Sequence, residues 1–277
     1  MGQKSLRTTA LSIGFKLLLL LAWPLATLHA QNGSSVETLT PLPAGITVPV
    51  QISRAIHAGS TMPGETIIGE TTQRIPLSKD HYLNRGAKVV GTIVVSKAGD
   101  GGTTQPSVLA IRFTSLRYRN QTVPISTRAI AIANAAQVVF TADPASMATD
   151  RGNSNPANWT TRQVGGDVLS RCGWIGELND NVMRKVGFAD YYGVYADPPR
   201  DATGTTSIPR AVGVFSTNAR GLYGFDEGAA LRSSGGDITI TSPRRLVLRN
   251  GDNLLLEVIP PSTNSSANPA GPSGSTS

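Results

Sequence analysis

The sequence predicts a mainly β protein: a barrel-like or sandwich domain with a long loop and short-helix insertion in its middle. Three observations carry that expectation. Ile46, Val48, Val50 and Ile52 fall at every second position, the period of a strand with one buried face. Residues 88–97, KVVGTIVVSK, form a β-branched run too short and too branched to favour a helix. Residues 238–258 repeat the strand pattern far downstream, around Asn250-Gly251.

Taken in order, the first strand should place Thr47, Pro49, Gln51 and Ser53 on its wet face. Pro49 has no N–H for a ladder, so the strand is expected at an edge, or paired on one side only where its neighbours permit. Residues 57–65 are turn-rich, and a second apolar run follows at Ile67 and Ile68. The strand over 88–97 closes in the loop Ala98-Gly99-Asp100-Gly101-Gly102. Residues 108–118 and 123–132 read as a hairpin, although its turn over 119–122 lacks the glycine of the strongest two-residue turns. The downstream segment 238–258 reads as a closing pair of strands around a glycine turn.

The middle departs from this rhythm. Residues 141–162 are polar, with Pro144, Gly152 and Pro156, and read as a long exposed loop. From Val164 onward Val168, Cys172, Ile175, Val182 and Val186 recur at three- and four-residue steps, which suggests an amphipathic helix facing the sheet. Gly165, Gly166, Gly173 and Gly176 oppose it at about 1 kcal/mol each. Residues 188–196, FADYYGVYA, are aromatic and β-prone; residues 210–225 are rich in glycine, which suggests tight bends or close backbone approach.

The ends are expected to be of another kind. Residues 1–30 combine Lys4, Arg7 and Lys16 with an apolar run and Leu28-His29-Ala30, the pattern of a signal peptide cleaved before Gln31. That run is broken by Pro24 and is shorter than the roughly 20 residues that span a bilayer, which argues against an uncleaved anchor. No transmembrane helix is therefore expected in the mature chain, and the protein is expected to be exported: periplasmic, outer-membrane-associated or secreted. Residues 31–41 read as a flexible lead, 42–259 as the β-rich domain with its insertion at about 141–206, and 260–277 as a disordered Pro/Ser-rich tail with no large apolar side chain to bury.

Charge narrows the function classes. The chain has 25 Lys plus Arg against 18 Asp plus Glu. Lys4, Arg7 and Lys16 lie in residues 1–30, which hold no acidic residue, so the remainder carries 22 against 18, an excess of +4. Such a bias is too mild to imply nucleic acid. Strand alternation places Arg117 with Arg119, and Arg245 with Arg249, on solvated faces, so no nucleic-acid partner is expected.

Leu42-Pro43-Ala44-Gly45, Met62-Pro63-Gly64-Glu65 and Leu83-Asn84-Arg85-Gly86-Ala87-Lys88-Val89-Val90-Gly91-Thr92 come in an order that, with 238–259, resembles the TrbI-like family. The resemblance covers 42–133 and 238–259. Those proteins are periplasm-spanning scaffold subunits of bacterial type IV secretion and conjugation machines, with a C-terminal β-barrel domain that contributes to the outer-membrane channel. Ile46 stands where the family pattern has threonine, and Asn84-Arg85-Gly86-Ala87 replaces its proline-containing core. Family members carry a cytoplasmic segment and an inner-membrane helix ahead of the barrel, where this chain shows a signal-peptide pattern. The resemblance implies a fold and a scaffold role, and its short apolar and glycine motifs carry no activity.

Catalytic groups are sparse beyond residue 30. His57 and His81 sit in loop-like contexts without a second ligand at metal spacing, and read as surface histidines. Cys172 is the only cysteine, so it is a buried thiol, a nucleophile with His81 as its base, or one half of an intermolecular bridge; the first reading needs least. Asp226-Glu227 point to opposite faces of a strand and read as a solvated corner, and Asp100-Gly101-Gly102 lacks the further acidic positions of a calcium loop. No cofactor, metal or catalytic residue is assigned. Two functions follow. The first is an exported non-catalytic cell-envelope scaffold or binding module whose partner is an envelope protein or polymer; its candidate surface is Tyr191, Tyr192, Tyr195, Tyr223 and Phe225, since exposed aromatics supply large contact area. The alternative is a secreted hydrolase acting on cell-wall or extracellular polymer, worked by Cys172, His81 or carboxylates of the middle segment.

Overall fold

The computed structural model describes residues 41–101, 104–142, 159–166, 169–171, 175–180, 182–198 and 208–260. In chain order these give β1 (Thr47–Ile52), β2 (Ile56–His57), β3 (Thr66–Thr71), β4 (Ile75–Pro76), β5 (Tyr82–Leu83), β6 (Lys88–Lys97), β7 (Ser107–Tyr118), β8 (Gln121–Pro124), β9 (Thr127–Ala133) and α1 (Ala135–Ala142). There follow β10 (Trp159–Thr161), β11 (Leu169–Arg171), β12 (Gly176–Asn179), β13 (Lys185–Asp190), β14 (Gly193–Ala196), β15 (Arg210–Ala211), β16 (Gly221–Tyr223), β17 (Ala230–Ser234), β18 (Asp237–Ser242), β19 (Val247–Leu248) and β20 (Asn253–Val258).

The protein is mainly β. Its principal sheet runs β16-β9-β20-β1-β3-β6-β7-β18-β17, with β8 beside β7. It curls into a nearly closed barrel in which β17 returns to β9, where the Ala129 N–H donates to Ser233 Oγ at 3.1 Å. Inside, Val50, Ile52, Ile93, Leu109, Ile111, Phe113, Ile240, Leu254 and Leu256 form one buried cluster. Each large side chain taken from water there contributes about 1.5–3 kcal/mol. On β7 the inward set is Leu109, Ile111 and Phe113, then Leu116, a change of phase. A bulge opposite Val90 and Gly91 inserts the extra residue, and at Gly91 a Cβ would strike the Arg112 carbonyl.

Several expectations about neighbours change. β1 is an interior strand, between β20 and β3. Its ladder with β3 begins only at Val50, so the missing N–H of Pro49 faces the unladdered side, where its carbonyl accepts the Thr72 N–H at 3.1 Å. The face expected to be wet is half covered: Thr47 and Pro49 are buried, and Thr47 Oγ1 donates to the Ala211 carbonyl at 2.7 Å. The run 123–132 is two elements, since β8 pairs with β7 whereas β9 crosses to β20. Likewise 238–258 is no hairpin: β18 lies against β7, β20 lies between β1 and β9, and β19 pairs with β2.

The described part of the insertion is a second sheet, an antiparallel meander ordered β10-β11-β12-β13-β14-β15, where an amphipathic helix was expected from Val164 onward. Ile175, Val182 and Val186 lie on or beside its strands, and Val168 and Cys172 lie outside the described residues. Among the described residues the one helix is α1, which starts ahead of that segment; Asn134 caps it, accepting the Gln137 N–H at 2.9 Å. The expected loop 141–162 is described only at 141–142 and at 159–162, where β10 begins. Phe188, Tyr195 and Ala211 of the insertion pack into the barrel cluster, which seats the second sheet on the first.

Candidate functional site: the β13–β14 turn

The best-built surface feature is the turn that joins β13 to β14. Asp190 and Gly193 face each other across the ladder, leaving Tyr191 and Tyr192 as the two turn residues. Asp190 Oδ1 accepts the N–H groups of Tyr192 and Gly193 at 2.7 and 2.9 Å, which fixes the bend. Gly193 is required by what lies beneath it, because a Cβ there would meet the Gln73 side chain at 2.6 Å.

Gln73, on the segment between β3 and β4, joins the turn to the barrel. Its amide is buried; Nε2 donates to the Val194 carbonyl at 2.9 Å, and Oε1 accepts the N–H groups of Val194 at 3.1 Å and Gly213 at 3.0 Å. The next residue adds a backbone bond, Arg74 N–H to the Tyr192 carbonyl at 3.1 Å. Three segments distant in sequence thus meet through one side chain.

Above this junction runs a stripe of alternating rings and polar planes. The Arg74 guanidinium lies 3.3 Å from the Tyr192 ring centroid and 5.3 Å from that of Tyr82. Its Nε donates to Asn84 Oδ1 at 3.3 Å, and Asn84 Nδ2 donates to the Tyr118 hydroxyl at 3.1 Å. Arg119 continues the stripe, 5.3 Å from the Tyr118 ring. Such cation–π contacts hold a guanidinium in one plane while leaving its edge free. An open groove of about 540 Å³ lies along this stripe, with Arg74, Asn84, Arg85, Tyr191 and Tyr192 among its walls.

The five candidate aromatics do not share one surface. Tyr191 and Tyr192 are 83% and 53% exposed, at the groove. Tyr195 is only 2% exposed and stacks on Phe188, ring centroids 5.0 Å apart, so it belongs to the core. Burial pushes its phenol well above the usual range, and the nearby Asp190 charge adds to this. Phe225 packs against the barrel cluster. Tyr223 packs against a smaller cluster outside β9 and β20, its hydroxyl accepting the Arg220 N–H at 2.9 Å. The sequence reading missed Gln73, Arg74, Tyr82, Asn84 and Tyr118, which lie on β5, at the end of β7 and in turns, and which only the sheet register brings together.

The groups considered for catalysis lie apart. His57 pairs through its backbone with Val247 on β19, whereas His81 Nδ1 lies 2.9 Å from Ser78 Oγ in the turn between β4 and β5. Asp226 approaches Arg244 at 3.7 Å. Asp252, not singled out in the sequence, is fully buried and accepts the N–H groups of Ala135 at 2.8 Å and Arg249 at 2.7 Å, joining the start of α1 to the turn before β20. Burial raises its carboxyl above the ordinary range, against the pull of those two bonds. Among the described residues no three His, Cys, Asp or Glu side chains gather as a metal site, and no helix is long and apolar enough to cross a membrane. Comparison with protein-family models, with characterised proteins and with solved structures finds no match.

Proposed function

We propose that this chain is an exported, non-catalytic scaffold or binding module of the cell envelope, on a barrel related in fold to the TrbI-like barrel domain. Its partner is an envelope protein or polymer, and its binding surface is the β13–β14 turn with the groove beside it. The observation that carries this reading is the locking of Tyr191 and Tyr192. Two exposed aromatic rings stand on a turn fixed by Asp190 and fastened to the barrel by Gln73 and Arg74. Rigid presentation of exposed aromatics lowers the entropy lost on binding. Export rests on the signal-peptide pattern of residues 1–30, and the scaffold role on the resemblance over 42–133 and 238–259.

The test is capture from envelope extract by the wild type and by Tyr191→Ala/Tyr192→Ala, beside turnover assays on peptidoglycan and polysaccharide. The expected result is a specific partner lost on mutation, with no turnover. Turnover abolished by changing a single carboxylate or Cys172 would replace this reading with the secreted hydrolase.

A further inference from the structure

Among the described residues six basic side chains are held in ion pairs, whereas the arginines along the stripe, like Lys88, Arg117, Arg232 and Arg245 elsewhere, are not. Arg54, Arg112, Arg128, Arg184, Lys185 and Arg244 each face a carboxylate, at 2.6 to 3.7 Å. A second groove, of about 550 Å³, is lined by Arg184 and Lys185, whose charges are already spent on Asp180 and Glu177. Arg74, Arg85 and Arg119 have no carboxylate within ion-pair distance among the described residues. The one acidic wall of the first groove, Asp190, has Oδ1 committed to the turn N–H groups.

Arg74 is the most prepared of the three. Two tyrosine rings hold its plane and Asn84 holds its Nε, while its two terminal amino groups have no partner among the described residues. That is a pre-oriented fork for a planar oxyanion, and carboxylates take such a fork in a bidentate manner. Tyr191, 83% exposed, offers a flat apolar face beside it, while Tyr192 and Tyr82 already turn a face to Arg74. The backbone nearby offers a polypeptide little: β14 is paired on both sides, by β13 and β15, and the Arg74 N–H already serves the Tyr192 carbonyl. With β14 closed and the edge of β5 only two residues long, a peptide main chain across the turn would forgo most of its own ladder. A sugar chain needs no ladder, since its hydroxyls stay wet in an open groove and its apolar ring faces pack on tyrosine.

We infer that the groove binds an acidic polysaccharide, with a uronate carboxylate held by Arg74, itself backed by Tyr192, and a neighbouring sugar face on Tyr191. This rests on the binding-module reading and names the class of its partner. The test is calorimetry of the full chain with polygalacturonate oligomers, neutral dextran and poly-glutamate at matched charge. Polygalacturonate is expected to bind, more weakly as salt rises, and dextran not to bind. Both Arg74→Ala and Arg74→Lys should weaken binding roughly tenfold or more, because lysine keeps the charge and loses the fork. Arg112→Ala, removing a paired arginine from the outer face of β7, should stay within about twofold. Unchanged melting temperatures and circular dichroism show that the variants are folded. Poly-glutamate binding as tightly as polygalacturonate would overturn the inference in favour of an acidic polypeptide, and wild-type binding untouched by either Arg74 change would overturn it outright. If polygalacturonate fails while extract capture still depends on Tyr191 and Tyr192, the binding module stands without this ligand; if the polymer is cleaved, the binding module itself falls.

Discussion

The barrel and the inserted sheet are both antiparallel, yet they are stabilised differently. Barrel strands reach ten and twelve residues in β6 and β7, and they point Phe113, Leu109, Ile111 and Ile93 into a shared interior. The inserted strands span two to six residues, and among the described residues the sheet's own buried cluster is Leu178 and Ala189, supported by Val186 and Val194. Its larger buried rings, Tyr195 and Phe188, are lent to the barrel cluster. Those contacts tie the described part of the sheet to the barrel. The barrel therefore sets stability, and the insertion sets what is presented on the surface.

The largest effect should come from the barrel interior. Phe113→Ala leaves a cavity in a fully buried site and should cost about 3–5 kcal/mol, read as a fall in the denaturant midpoint for the whole domain. A transition confined to the insertion would break the comparison, since it would mean that the two sheets unfold independently.

A smaller effect is expected where the sheets meet. The Tyr195 hydroxyl is buried without a hydrogen-bond partner among the described residues, so Tyr195→Phe should be neutral or stabilising at pH 7, by within about 1 kcal/mol. The alkaline limb carries the sharper signal. A phenol whose ionisation is raised on folding contributes fully below the unfolded value of about 10 and loses that contribution as pH climbs past it, because the unfolded chain releases its proton first. Wild-type stability should therefore fall faster above about pH 10 than that of Tyr195→Phe, by at most about 1.4 kcal/mol per pH unit. Parallel alkaline limbs in thermal melts would place Tyr195 outside the core.

What was legible in the sequence follows the same division. The barrel strands could be read because a strand with one face on a shared core must alternate: 88–97 is β6, and 108–118 lies within β7. Their partners could not be read, since alternation says which face is buried and nothing about which strand lies alongside. In the insertion the strands are short, and the β12–β13 ladder shifts register between Leu178 and Asn179, skipping Val186, so alternation there is too brief and broken to read. The candidate tyrosines were half legible. Had Asp190 and Gly193 been taken as the flanks of a two-residue turn, Tyr195 would have fallen opposite Phe188, as it does, and of the three tyrosines in this hairpin only Tyr191 and Tyr192 would have remained outside. Gln73 and Arg74 carry no local signal, because their role exists only once three distant segments are folded together.

The central claim, that the barrel holds the tyrosine turn rigid through Gln73, is tested most directly by residue-resolved hydrogen exchange on the wild type and Gln73→Ala. Removing that amide leaves the half-buried N–H groups of Val194 and Gly213 without their partner, a loss of about 1–3 kcal/mol. Exchange at Val194 and Gly213 should then quicken by roughly 10- to 100-fold, while Val50 and Leu256 in the barrel keep their wild-type rates. Unchanged exchange at Val194 and Gly213, or acceleration spread evenly over both sheets, would contradict it.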